Sequence, residues 1–297
     1  MTSGPDPFAE TRMSLGEHLE ELRGRLFKGV LAVFLAFALA WVWRDAVVTV
    51  VTSPYDDAME MLEEQLIAEA EEIVADDPER ERTEFFLTAD PEDDRLRDFK
   101  KQMIATAPGE AFFFQLKLCL YAAFFLGAPI LLWQLWGFVG AGLYRHERRV
   151  VMRFFPVSVV LFVVGVGFGF RWVVPYAMYF LNQDVSIEQI IPDIKVQDYL
   201  TFLSSLCLAF GIVFQLPVLM SILGLSGAVQ PGDMARYRGH FLVGAFVLAA
   251  VLTPPDPFTQ ALLGLPMVVL YEIGIWSARL FARRAAKRGA AAPGGTP

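Results

Sequence analysis

The apolar residues of this chain form long runs, and the strict alternation of apolar and polar positions that would indicate strands is absent. A helix needs roughly 20 apolar residues to cross a hydrocarbon core. Backbone groups that face lipid must also be paired within their own segment, which favours helices. We therefore predict an all-α, polytopic integral membrane protein with six transmembrane helices, over residues 27–51, 111–139, 154–175, 199–225, 239–253 and 258–278.

The composition agrees with a membrane protein rather than an ordinary soluble domain. Of the 297 residues, 55% are hydrophobic, which is more than soluble domains usually contain. Both cysteines, Cys119 and Cys207, lie within apolar runs. We interpret them as packed small side chains rather than as a disulfide or metal ligands. We expect no cofactor and no bound metal.

Basic residues indicate which side of the membrane each connection faces, because short segments rich in Lys and Arg remain in the cytoplasm. Four basic segments fall on one side if the chain crosses six times. Their residues are Arg12, Arg23, Arg25 and Lys28; Arg145, Arg148, Arg149 and Arg153; Arg236 and Arg238; and Arg279, Arg283, Arg284, Lys287 and Arg288. Both termini are therefore predicted to be cytoplasmic, with one transmembrane domain over residues 1–288.

The first outer connection, residues 52–110, is long and strongly acidic. Apolar residues recur in it at helical spacing, at Met59, Leu62, Leu66, Ile73 and Val74. This connection is either a solvated amphipathic cap or a docking surface, and we favour the cap. The tail, residues 289–297, is rich in Ala, Gly and Pro and is predicted to be disordered.

Carboxylates stand at the cytoplasmic entrance of the first span, where acidic residues contribute little to orientation. Ser14 and Glu17 have the spacing of a capping box, so a helix is predicted to begin there. Glu21 precedes Arg25 by four residues, and the two side chains can pair on a helix. A solvated surface pair of this kind contributes little to stability, so the pair alone indicates no function.

A second carboxylate, Glu147, lies in the basic connection after span two. It can simply neutralise the arginines around it. Alternatively, Glu21 and Glu147 together can bind a cationic ligand at the membrane surface. Guanidinium groups would suit such a pair, because their planar donors bind carboxylates in a bidentate manner.

Several segments resemble the TatC family, the multispan subunit of the twin-arginine (Sec-independent) protein translocase. The resemblance covers well over half the chain, and its strength comes from the order and spacing of the segments. It is weak in the acidic outer connection and in both tails. The matching segments are HLEELRGRL at 18–26, SPYDDAM at 53–59, the run from EAFFFQ to YRHERR at 110–149, FGIVFQLPVLM at 210–220, and the run from RYRGH to YEIGI at 236–275.

The resemblance implies a receptor and core component of the translocase in the bacterial cytoplasmic (inner) membrane. Such a protein would bind twin-arginine signal peptides at the cytoplasmic face and organise the transport of folded proteins. Its partners would be those signal peptides, TatA- and TatB-like single-span proteins and further copies of the chain, but no nucleic acid. Mapped onto this sequence, the receptor carboxylates are Glu21 and Glu147, flanked by Phe138, Leu143 and Tyr144.

Two residues depart from the pattern of the family. Ala141 stands where Pro is usual, so the backbone before residues 142–144 is less restricted in its φ angle. Gln215 stands where Glu is usual. A neutral amide at that position supplies no charge and no proton, but it can still both donate and accept hydrogen bonds.

Polar residues inside predicted spans are functional candidates. Gln215 is predicted to contact a partner helix, because amide side chains can hydrogen-bond between helices in lipid. Glu272 can either pack between helices of this chain or contact a partner. Asp256 is interpreted as a turn or helix-cap residue. The other predicted turn residues are Pro54, Pro254 and Pro255.

Two other function classes fit the sequence less well. A proton- or ion-coupled small-solute transporter would use Asp256 and Glu272, but that class needs broken helices and repeat symmetry, and no internal repeat is present. An enzyme would need a metal cluster or an activated nucleophile. The three histidines, His18, His146 and His240, are far apart in the sequence, and we expect no enzymatic activity.

Overall fold

The computed structural model describes residues 15–76, 103, 109–141, 145–182, 194–227, 229–253 and 256–290. For residues 15, 66, 67, 69–76, 145–150 and 284–290 it describes the backbone alone. The regular elements in these ranges are helices. In chain order they are α1 (Leu15–Val42), α2 (Arg44–Asp76), α3 (Glu110–Ala141), α4 (Arg145–Phe168), a π-helical segment (Gly169–Val173), α5 (Val174–Asn182), α6 (Val196–Val213), α7 (Leu216–Ser226), α8 (Pro231–Arg236), α9 (Arg238–Leu252) and α10 (Pro257–Ala290).

The predicted all-α fold class is confirmed. Within the described residues, five helical segments are long and apolar enough to cross a membrane, and the shorter apolar helix α9 adds to them. This arrangement is consistent with six spans. The five long segments are Gly16–Val42, Glu110–Ala141, Val151–Asn182, Val196–Ser226 and Pro257–Arg283.

The first span and the outer connection differ from their predicted bounds. The apolar helix α1 begins well before residue 27 and ends at Val42, and the chain continues after Trp43 as α2. The predicted outer connection, 52–110, therefore starts as a continuous helix. Met59 and Leu62, two of the residues at helical spacing, are buried, as an amphipathic helix requires.

Pro54 lies inside α2, so its prediction as a turn residue was wrong. A proline has no N–H, and the carbonyl four residues earlier loses its partner. Here that carbonyl belongs to Val50, and the Ser53 hydroxyl donates to it at 2.9 Å. This local hydrogen bond compensates for the missing one and lets the helix continue past Pro54.

The predicted fourth span is broken into α6 and α7 at Phe214 and Gln215. Pro217 explains the break, because its ring clashes with the carbonyl of the residue four positions earlier and it cannot donate to that carbonyl. The Gln215 N–H donates instead to the Ile212 carbonyl at 2.9 Å, across a tighter turn. The break turns the backbone so that the side chain of Gln215 meets α4.

The most extensive helix contacts are those of α1 with α3 and of α7 with α10, followed by α4 with α6, α9 with α10 and α3 with α4. The α4–α6 pair is close because Gly165 faces the backbone of α6. A Cβ atom at Gly165 would lie 2.7 Å from the Phe210 carbonyl oxygen and 2.7 Å from the Phe214 ring. Small residues allow this approach between helices in lipid, where van der Waals packing drives association.

Candidate functional site

The first turns of α1 lie against the C-terminal end of α3. His18 of α1 stacks on Phe138 of α3, with 4.3 Å between ring centroids and 22° between ring planes. The Nδ1 atom of His18 is buried and makes no hydrogen bond to the part of the chain that the structure describes. We call this region, with His18, Glu21, Arg25, Gly137 and Phe138, the α1–α3 site.

Glu21 and Arg25 form a partly buried ion pair. The Arg25 Nε and Nη2 atoms donate to the Glu21 Oε1 atom at 3.0 Å and 2.6 Å, and the two side chains are only 18% and 21% exposed. The neighbouring pair on α1, Arg23 with Glu20, is longer at 3.6 Å, and its side chains are 82% and 75% exposed. Of the two pairs on the same helix, therefore, only Glu20–Arg23 is a solvated surface pair.

Gly137 makes room for the Arg25 guanidinium. A Cβ atom at this position would overlap the Arg25 Nη1 atom and lie 2.8 Å from Cζ. The guanidinium thus occupies a notch on α3 that only the absence of a side chain provides. The contact joins α1 to α3 at the level of Phe138, one residue further along the chain.

The side chains of the other residues of the predicted receptor site are outside the described residues. Glu147 belongs to the first turn of α4, of which the backbone is described. Leu143 and Tyr144, in the connection from α3, lie outside the described residues. Because only three residues separate Ala141 from Arg145, the start of α4 stays near the α1–α3 site.

A second polar cluster lies between α3, α4 and the break before α7. The Trp136 Nε1 atom donates to the Ser158 hydroxyl at 2.8 Å, and that hydroxyl donates to the Gln215 Oε1 atom. The Gln215 amide returns a hydrogen bond to the Ser158 carbonyl at 3.1 Å. Trp136 and Ser158 are buried, and the sequence pattern did not single them out. The signal that the sequence offered for this cluster was a serine, Ser158, within an apolar run.

Glu272, inside α10, pairs within the chain with the first residue of α9. Its carboxylate binds Arg238 in a bidentate manner, at 2.6 Å to Nε and 2.8 Å to Nη2. The preceding residue, Tyr271, donates its hydroxyl to the Met234 carbonyl at 2.8 Å. Of the two roles considered for Glu272, these contacts favour packing between helices.

Asp256 caps α10. The Thr259 N–H donates to its carboxylate at 2.7 Å, which is the geometry of an N-cap residue. Pro254 and Pro255, the predicted turn residues before it, lie outside the described residues. Sixteen residues of helix separate Asp256 from Glu272, a rise of about 24 Å, so the two carboxylates do not meet in one cavity.

The cysteines are free and buried, Cys119 in α3 and Cys207 in α6. Their burial agrees with the interpretation of packed small side chains. Among the described residues, no group of three or more His, Cys, Asp or Glu side chains is arranged to hold a metal ion.

A family model described as Sec-independent protein translocase protein (TatC) matches residues 17–266. The chain belongs to the TatC family. Curated TatC proteins are similar to it: that of Halothiobacillus neapolitanus is 35% identical over 282 residues, 93% of this chain and 65% of the relative. That of Magnetococcus marinus is 34% identical over 283 residues, 95% of this chain and 90% of the relative. That of Escherichia coli K12 is 38% identical over 186 residues, 63% of this chain and 72% of the relative.

A solved structure is similar as well. The crystal structure of a twin-arginine translocase receptor, TatC, superposes with a TM-score of 0.66 at 29% identity, over 90% of this chain and all of that one. Membership of the TatC family makes the chain a component of the Sec-independent protein translocase in the inner membrane. The alternative of a small-solute transporter is therefore wrong, in agreement with the separation of Asp256 and Glu272.

Gln215 has a hydrogen-bonding role in the structure. Its amide group both accepts from and donates to Ser158, which an ionised carboxylate cannot do, since it only accepts. The amide is thus engaged within the chain. Its contact with a partner helix stays a prediction.

Replacing Ser158 by Ala is expected to destabilise this TatC protein by about 2 kcal/mol, because it leaves the buried Trp136 N–H and part of the Gln215 amide without partners. A lower thermal unfolding temperature in detergent would show the loss. Ser205→Ala is the matched control, because among the described residues the Ser205 hydroxyl donates to the Phe202 carbonyl of its own helix and to no other helix. Equal stability of the two variants would contradict the role given to the Ser158 cluster.

Proposed function

We propose that the α1–α3 site, with Glu147 from α4, is where this protein binds the paired arginines of a twin-arginine signal peptide. The observation that carries the proposal is Glu21, a partly buried carboxylate that already holds a guanidinium group at 2.6 Å. The local geometry therefore suits an arginine ligand. The basic residues of the connections favour placing this end of the bundle at the cytoplasmic face.

The surroundings of Glu21 favour binding that is selective and reversible. Burial strengthens the attraction between a carboxylate and a guanidinium, but each ion must first lose its hydration. Glu21 keeps 21% of its side chain exposed, so an incoming side chain can reach it from water. Phe138 is half-buried beside His18 and offers an aromatic face to an arginine or to the apolar part of a peptide.

The buried Nδ1 atom of His18 supports a ligand at this place. Buried polar atoms in folded proteins nearly always have a hydrogen-bond partner, and this atom has none within the described residues. A polar group of a bound peptide, or a water that accompanies it, can serve as that partner.

The role we infer for the whole protein is that of a receptor and organising core, with no chemistry of its own. The partners we propose are signal peptides of folded cargo, TatA- and TatB-like single-span proteins and further copies of the chain. Helix α9 exposes an apolar face, with Leu242, Val243, Val247 and Val251. In lipid such a face can pack against a single-span helix without a large change in solvation.

The proposal is tested by binding of a fluorescent peptide to the purified protein in lipid nanodiscs. A peptide with two arginines is expected to bind at least about tenfold more tightly than the same peptide with two lysines, because lysine keeps the charge but lacks the planar bidentate fork. Equal affinities for the two peptides would show that charge alone is recognised, and would remove the proposed guanidinium site.

A further inference from the structure

We propose that Arg25 is an internal guanidinium that occupies Glu21 while no signal peptide is bound, and that an arginine of the peptide replaces it. This inference rests on the proposed function, because it takes Glu21 as a ligand of the peptide. It adds that the site is already filled by a group of the same chemistry, so that binding is an exchange of one arginine for another.

The geometry of Arg25 is that of a bound ligand. Its guanidinium contacts the carboxylate through Nε and Nη2 and lies in the notch over Gly137. Both of these hydrogen bonds end on a single oxygen, Oε1 of Glu21. An arginine side chain has five N–H donors. Here its hydrogen bonds to described residues stay within one turn of its own helix.

Release of Arg25 is therefore easy in structural terms. Only an i,i+4 pair has to open, and the long side chain can then swing into water at the membrane surface, as basic side chains near helix ends do. The backbone of α1 and its packing on α3 need not move. Gly137 has no side chain that could hold the guanidinium in place.

Simultaneous binding of both guanidinium groups at Glu21 is disfavoured. Two cations on one carboxylate would lie within a few ångströms of each other, and their repulsion is strong where water is partly excluded. Exchange also keeps the partly buried carboxylate neutralised throughout, which avoids the cost of an unpaired buried charge. The measured affinity of the peptide is then the difference between its own contacts and those of Arg25.

Removal of Arg25 is the direct test. If the Glu21 carboxylate is free of Arg25 about one-tenth of the time, Arg25→Gln is expected to increase the affinity for a twin-arginine peptide about tenfold. Arg25→Lys is expected to give a smaller increase, since an ammonium group still competes for the carboxylate but lacks the second aligned donor. Fluorescence anisotropy with the peptide and the full-length protein in nanodiscs, at one fixed salt concentration, measures both.

Lys28→Gln is the matched control for charge. Lys28 is exposed on the same helix, less than one turn further along, and its replacement removes the same single positive charge. A general loss of repulsion between the protein and the cationic peptide would tighten binding equally in Lys28→Gln and Arg25→Gln. Equal gains would overturn the proposal.

Gly137→Ala tests the same inference without changing any charge. The added methyl group would overlap the tip of the Arg25 side chain, which is flexible enough to leave the notch while the backbone stays in place. Tighter peptide binding is expected again. Gly24→Ala is the control for Gly137→Ala, because a Cβ atom at Gly24 meets nothing within 4 Å. The affinity of the Gly24→Ala variant for the peptide is expected to stay the same.

The outcomes separate this inference from the proposed function. Weaker or unchanged peptide binding in both Arg25→Gln and Gly137→Ala, with Glu21→Gln still impaired, would make Arg25 a positioning residue and overturn the exchange, while the receptor site would remain. Unchanged binding in Glu21→Gln would instead remove the receptor site itself, and the exchange with it.

Discussion

Glu21→Gln is expected to weaken binding of a twin-arginine peptide about fifteenfold, equivalent to about 1.6 kcal/mol. The loss of a hydrogen bond to a charged group, about 3 kcal/mol, is partly offset because Arg25 no longer has to be displaced, which is about 1.4 kcal/mol. The amide keeps the size of the side chain and can still accept one hydrogen bond, but it has no charge to attract a guanidinium. The protein should still fold, since the ion pair lost with Arg25 joins residues of the same helix. Titration of a labelled peptide into nanodiscs that contain the variant measures the change.

The control lies one position away. Glu20 is also a carboxylate at the start of α1, but it is 75% exposed and pairs loosely with Arg23. Glu20→Gln makes the same change in net charge and is expected to leave the affinity within about twofold, as exposed pairs contribute little. Similar losses in both variants would mean that the acidic end of α1 acts only through its overall charge.

Gly165→Leu is expected to have the largest effect on stability of any substitution considered, a loss of about 3 kcal/mol, at the upper end of the usual cost of overpacking. A side chain at this position meets the Phe210 carbonyl oxygen, which belongs to the backbone of α6, and the base of the Phe214 side chain. Neither can move aside without separating α4 from α6. Thermal unfolding in detergent and the yield of monodisperse protein would both be lower.

Gly167→Leu is the comparison that isolates packing from helix propensity. Gly167 is in the same helix, is exposed, and has nothing within 4 Å of a Cβ atom. Leucine has a higher helix propensity than glycine, and at this position its side chain would face lipid rather than another helix. We expect this variant to be at least as stable as the original chain. Equal destabilisation at both positions would contradict the close α4–α6 packing.

Local physics accounts for what the sequence predicted well. Apolar runs predict helices because lipid leaves backbone groups no other partner, so the all-α class and the number of spans follow without knowledge of their packing. The N-cap role of Asp256 and the pairing of Glu21 with Arg25 also depend only on neighbours within one helical turn. The continuity of α2 through Pro54 was missed, because a serine hydroxyl compensated for the missing N–H.

The candidate site was only partly predictable. The spacing of Glu21 and Arg25 could indicate their ion pair, but not that a notch at Gly137, more than a hundred residues later, would bury it. Apart from a serine within an apolar run, nothing in the sequence indicated the hydrogen bonds from Trp136 to Ser158 and between Ser158 and Gln215. In both cases the partner is distant in the chain and is brought near by helix packing.

The sequence by itself determined that this chain crosses a membrane as helices, and it placed carboxylates at one end of the first helix, because these properties depend on hydrophobicity and on spacing along the chain. Only the tertiary structure decided which carboxylate is partly buried, which arginine occupies it, and which glycine makes the space. Burial and close contact depend on how α1 meets α3 and how α4 meets α6, and that geometry is set by packing between segments far apart in the chain.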